Sequence, residues 1–138
     1  MRSCLLRRPP GPLEGNNVLA IAKHASAVTR AYVLGIGCGL PMERDRSKEF
    51  VAGAEEREAI LASLRALTST VSERVQRLDP ETLGRPVMPS QALFGTGTPQ
   101  EMTPRGAIVE NIRHLGIHLG ELRLTRSLLE ARSAGIPA

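Results

Sequence analysis

His114 and His118 stand four residues apart in the stretch Asn111-Ile112-Arg113-His114-Leu115-Gly116-Ile117-His118-Leu119-Gly120, and the one other histidine of the chain is His24. On a helix, residues four apart share a face, with Cβ atoms about 5–6 Å apart. Two imidazoles so placed can point at one ion, and the fold is expected to bring His24 to them. Three neutral imidazoles suit Zn, Ni or Fe(II). Three protein ligands leave a position for water or substrate, the pattern of a catalytic site rather than a closed structural one. A water bound there could be acidified toward a pKa of about 7, and a thiol could bind as thiolate.

The spacing alone leaves a plainer possibility open. Two histidines on a mostly apolar helix face are often boundary residues, each with a single hydrogen bond. Two metal chemistries are set aside: HExxH requires Glu after the first histidine, where Leu115 stands, and a ferritin-like di-iron site requires Glu-x-x-His pairs.

Three helices are expected to position these residues. In the first, Asn16 or Asn17 is the expected cap. Val18, Ile21, Ala22, Ala25, Val28, Tyr32 and Val33 then recur at helical spacing to about Gly35. His24 falls beside Ile21, Ala25 and Val28, on the buried side or its edge. Gly35, Gly37, Gly39 and Pro41 end this helix. The second, from about Ala54 to Leu78, carries an apolar stripe of Ile60, Leu61, Leu64, Leu67, Val71, Val75 and Leu78 and stops at Asp79-Pro80. Its Glu56 and Glu73 read as exposed glutamates rather than ligands. The third opens with Thr103 as cap and Pro104 in the first turn and frays near Ala134. Ile108, Ile112, Leu115, Leu119, Leu122 and Leu129 lie along one broad side of it, with His114, His118, Leu122 and Thr125 on the adjoining ridge. Gly116 and Gly120 offer a groove for a helix or ligand.

The rest is connection. Residues 1–15 are expected to be irregular, since Pro9-Pro10-Gly11-Pro12 excludes a helix there. Residues 39–53 read as a solvated loop of mixed charge; a functional reading would have Arg44 or Arg46 reach an acidic substrate. Residues 79–102, with Arg85 and Gly95-Thr96-Gly97-Thr98, form a long segment suited to a lid or pocket wall. They are not a phosphate loop, because the Walker lysine is missing.

Composition bounds the function. With 138 residues, one domain over 1–138 is expected. There is no Trp, one Tyr and two Phe, so the core must be aliphatic, which favours packed helices. The net charge is +4, but the arginines are dispersed and stacking aromatics are lacking, which argues against nucleic acid as the partner. Cys4 and Cys38 make no CxxC and no disulfide framework. A reducing cytoplasm is the default location, with no signal peptide and no membrane span.

Taken together, the segments resemble the DinB/YfiT-like superfamily of helical bundles. The Asn17–His24 segment is similar to the family's early helix with its first histidine. Gly39-Leu-Pro-Met-Glu-Arg-Asp-Arg-Ser-Lys-Glu-Phe50 resembles its "GRPxxRDRxxEF" connection, and Thr103–Leu129 resembles the closing helix with paired histidines. The similarity covers about residues 9–132, and all three histidines fall on its ligand positions. It implies an all-α four-helix bundle, often a homodimer, with a divalent metal held by His24, His114 and His118. It also implies chemistry on a small-molecule substrate with a low-molecular-weight thiol such as mycothiol or bacillithiol. The family's bundle has a helix ahead of Pro9, where this chain has eight residues. The resemblance therefore implies a bundle lacking most of its first helix here, with an exposed apolar strip.

Three functions are thus in view: a metal-dependent transferase or hydrolase using a thiol, a non-catalytic metal-binding module that dimerises, and a DNA-damage-associated binding protein. The last is suggested only by the family's name and the basic composition.

Overall fold

The computed structural model describes residues 14–135. Three long helices carry the fold. The first, α1 (Glu14–Thr29), continues without a break as a π-helical segment over Arg30–Gly37. The second, α2 (Arg57–Gln76), is preceded by a 3₁₀ turn at Ala54–Glu56. A single turn, α3 (Gln91–Phe94), precedes the longest helix, α4 (Pro104–Ser133). Among the described residues there is no strand, only an isolated antiparallel bridge between Val87 and Met102. The chain is all-α, as expected. No described helix is long and apolar enough to cross a membrane. The Pro9–Pro12 segment and the question of a preceding helix lie outside the described residues.

The start of α4 is the clearest product of local sequence. Thr103 is extended and its Oγ1 accepts from Gly106 N at 3.0 Å, with Pro104 in the first turn, where a missing N–H has no consequence. The start of the first helix corrects the sequence reading. Asn16 and Asn17 lie inside α1, which begins at Glu14.

The helix also runs two residues past Gly35, in π rather than α form. Close packing accounts for the glycines within it. A Cβ on Gly35 would lie 3.1 Å from Leu93 of α3, and one on Gly37 would lie 3.1 Å from Ile108 of α4. Ala31, Val33, Leu34, Gly35, Ile36 and Gly37 are all buried in this segment. With Val28, Ile60, Leu67 and Ala107 they form the core. The segment 79–102 is less irregular than expected: its α3 turn is held to the π segment by Tyr32 Oη donating to Phe94 O at 3.3 Å.

Burial is uneven. Of the α2 stripe only Ile60 and Leu67 are buried, and Val75 is exposed. Ile112 and Leu119, read from the sequence as part of one broad apolar side, are exposed, as are Ile117, Leu124 and Leu128. Periodicity identifies apolar faces but not which face finds a partner. The expected groove at Gly116 and Gly120 meets no neighbour: no described atom lies within 4 Å of a Cβ built on either. Between α1, α2 and α4 runs an apolar trough of about 640 Å³, lined by Val33, Leu64, Val71, Ile108 and Leu115 among others.

Candidate metal centre

His24 projects from the middle of α1, and His114 and His118 from consecutive turns of α4. The two helices pack directly against each other, which closes the gap of ninety residues. His24 Nε2 lies 3.3 Å from His114 Nε2, and His118 Nε2 lies 3.2 Å from the same atom. One ring nitrogen from each histidine lies within 4.8 Å of the others.

The outer nitrogens of two of the rings face carboxylates. His24 Nδ1 is 2.8 Å from Glu49 Oε2, and His118 Nδ1 is 2.6 Å from Glu121 Oε2. A ring nitrogen facing a carboxylate carries the proton and donates it, which leaves a lone pair on the other nitrogen. Nε2 of His24 and of His118 therefore both present lone pairs to His114 Nε2, which holds at most one proton. At least one of the two short contacts sets lone pair against lone pair. A cation among the three removes that conflict, and the spacing suits one. Metal–nitrogen bonds of about 2.0–2.1 Å in a tetrahedral site set neighbouring nitrogens about 3.3 Å apart. The donor set thus fits a divalent ion, and the two carboxylates take the place usual for residues that orient metal-binding imidazoles.

Electrostatics agree with neutral His24 and His114 rings. Burial holds His24 below its ordinary pKa, against the opposing pull of Glu49. Burial, followed by the neighbouring His118 and His24, brings His114 down to about 4. Burial alone would raise Glu49, but the hydrogen bonds and charges of Arg44 and His24 outweigh it and hold the carboxyl below its usual range. His114 Nδ1 is buried without a hydrogen-bond partner among the described residues. Phe50 stacks on His24 with ring centroids 4.5 Å apart, and the Arg46 guanidinium sits 5.6 Å above Phe50.

All three histidines singled out in the sequence come together. Glu56 is ion-paired to Lys23 at 2.8 Å, and Glu73 is exposed, so neither joins them. The reading of residues 39–53 as a solvated loop is corrected in part: the side chains of Arg44 and Glu49 are buried, their polar atoms met by each other, by Leu93 O and by His24. Glu49 and Glu121 were missed. For Glu121 the signal was present, since three residues beyond His118 is the same helix face. For Glu49 it was the Arg44-to-Phe50 run itself, whose glutamate has no periodic pattern to mark it.

An all-α fold with a histidine cluster between its first and last long helices defines the class. Residues 4–122 match the family model of the DinB superfamily, and the chain belongs to that family. No match was found among curated proteins or solved structures.

Proposed function

We propose that this protein is a metal-dependent transferase acting with a low-molecular-weight thiol, mycothiol or bacillithiol, and that His24, His114 and His118 hold its divalent ion. The observation that carries the reading is the approach of His24 Nε2 and His118 Nε2 to His114 Nε2 at 3.3 and 3.2 Å, with the Nδ1–H groups of His24 and His118 fixed by carboxylates. A divalent ion held there supplies a Lewis-acid position at which a thiol or a water becomes a better nucleophile. The chain's own part is to keep His24 and His114 neutral by burial, to aim His24 and His118 through Glu49 and Glu121, and to cover one face of His24 with Phe50.

Metal analysis of purified protein beside His118→Ala tests the site. Stoichiometric Zn, Ni or Fe is expected in wild type and its loss in the variant; wild type without stoichiometric metal sinks the reading. Turnover of an electrophile with mycothiol or bacillithiol tests the activity. The exposed apolar side chains of α4, Ile112, Ile117, Leu119, Leu124 and Leu128, support a second reading, a metal-binding module whose role is to dimerise. A metal-loaded homodimer inert toward every thiol would favour it.

A further inference from the structure

Two carboxylates serve the histidine cluster, and they are held differently. Glu121 lies on the same helix as His118, its side chain is 25% exposed, and no described cation pairs with it. Glu49 lies on the connection after the π segment and its side chain is 3% exposed. Its Oε1 accepts from Arg44 Nε at 2.5 Å, and its Oε2 accepts from Arg44 Nη2 at 3.0 Å and from His24 Nδ1 at 2.8 Å. A two-bond fork of this kind fixes both the place and the plane of a carboxylate. The third nitrogen of Arg44 is also committed: Nη1 donates to Leu93 O of α3 at 3.2 Å.

We propose that Arg44 is a positioning residue for the histidine site, holding Glu49, and through it His24, in register with the turn at α3. The alternative role for Arg44, contact with an acidic substrate, has no room. Its side chain is 4% exposed and all three nitrogens are in use. Arg46 differs, being exposed over Phe50. The chain of contacts runs from Leu93 O through Arg44 and Glu49 to His24, and it continues one residue past α3. Gly95 has φ +91°, and a Cβ there would lie 3.0 Å from Nη1 of both Arg44 and Arg46. A side chain at Gly95 would press on both guanidiniums at a backbone angle that only glycine adopts readily. A residue in a loop that touches none of the histidines thereby governs how His24 is aimed. The effect on metal affinity rests on the metal-site reading above; the effect on the His24 ring does not.

The test uses Arg44→Lys, which keeps the charge and loses the fork, Gly95→Ala, which retains the Arg44 and Glu49 residues but crowds the Arg44 guanidinium, and Glu121→Gln for comparison. The His24 tautomer is read by long-range ¹H–¹⁵N NMR of the metal-free protein, and Zn²⁺ affinity by competition with a chromophoric chelator. Wild type is expected to show a single His24 tautomer with the proton on Nδ1. Arg44→Lys should mix the tautomers and weaken Zn²⁺ binding about 10–100-fold, the range for partners that orient a metal ligand. Gly95→Ala should do the same to a smaller degree, and Glu121→Gln should leave the His24 tautomer alone. An unchanged His24 tautomer in Arg44→Lys overturns the proposal. If the lysine variant fails to fold, the same result in Gly95→Ala overturns it. Wild type that fails to bind Zn²⁺ removes the metal reading, while the tautomer still decides the role of Arg44.

Discussion

The two ends of α4 share one helix and one kind of composition, yet they live in different surroundings. Its first two turns bury Pro104, Ala107 and Asn111 against the π segment and α1, with Thr29 Oγ1 donating to Asn111 Oδ1 at 3.2 Å. Beyond Asn111 no residue of α4 is buried, and Ile117, Leu119, Leu124 and Leu128 are exposed. His114 and His118 stand at the boundary. The difference shows where the stability of the described chain resides. One end is part of the buried core, and the other is a helix with several exposed apolar side chains that meets α1 at the histidine cluster.

The sharpest way to break this comparison is to truncate one apolar side chain in each region. Leu34 is fully buried in the π segment, and Leu34→Ala should cost about 2–5 kcal/mol in urea unfolding. Leu128→Ala should stay within about 0.5 kcal/mol. Equal costs would mean that the exposed side is covered in solution, and the contrast between the two ends would go. Next in size is the proposed ion, which would join α1 to α4 across the boundary. Free Zn²⁺ at 100 times its dissociation constant should stabilise the protein by about 2.7 kcal/mol. A chelator should remove that gain, and His114→Ala should abolish it. An equal gain in His114→Ala would mean the metal acts elsewhere.

A further effect is expected from pH in the metal-free protein. His24 and His114 have folded pKa values below the ordinary 6.5, His114 at about 4. Above pH 6.5 both states are neutral and nothing changes. Between about 6.5 and 4 the unfolded chain takes up protons that the folded one refuses, so stability falls as pH falls through that window. His114→Gln should flatten the fall, measured as melting temperature between pH 7.5 and 4.5. A slope unchanged in the variant would show that His114 is solvated rather than enclosed.

How much of this was legible in the sequence depended on range. The cap at Thr103 and Pro104, the three helices and the inward side of His24 are set within a few residues, and these were readable. The Glu49 contact spans twenty-five positions and a turn with no repeating pattern, so only the fold reveals it. The one-turn α3 is too short for periodicity, and a 3.6-residue period cannot register a π segment. Nor could Ile112 and Leu119 be assigned a partner, because an apolar stripe states a need for cover and not its source.

The π segment has one more consequence, for tolerated sequence change. Bonds from residue i to i+5 amount to an extra residue carried within the helix, and eight residues here, Arg30–Gly37, hold that surplus. Deleting one of them would let the helix relax to its ordinary pitch. The faces that precede the deletion, His24 among them, would then swing around the axis relative to Gly37 and its contact with Ile108. Length in this segment is therefore more constrained than identity. A conservative substitution such as Val33→Ile is expected to be absorbed, whereas a one-codon deletion leaves all three histidines in the chain and turns one of them away from the other two.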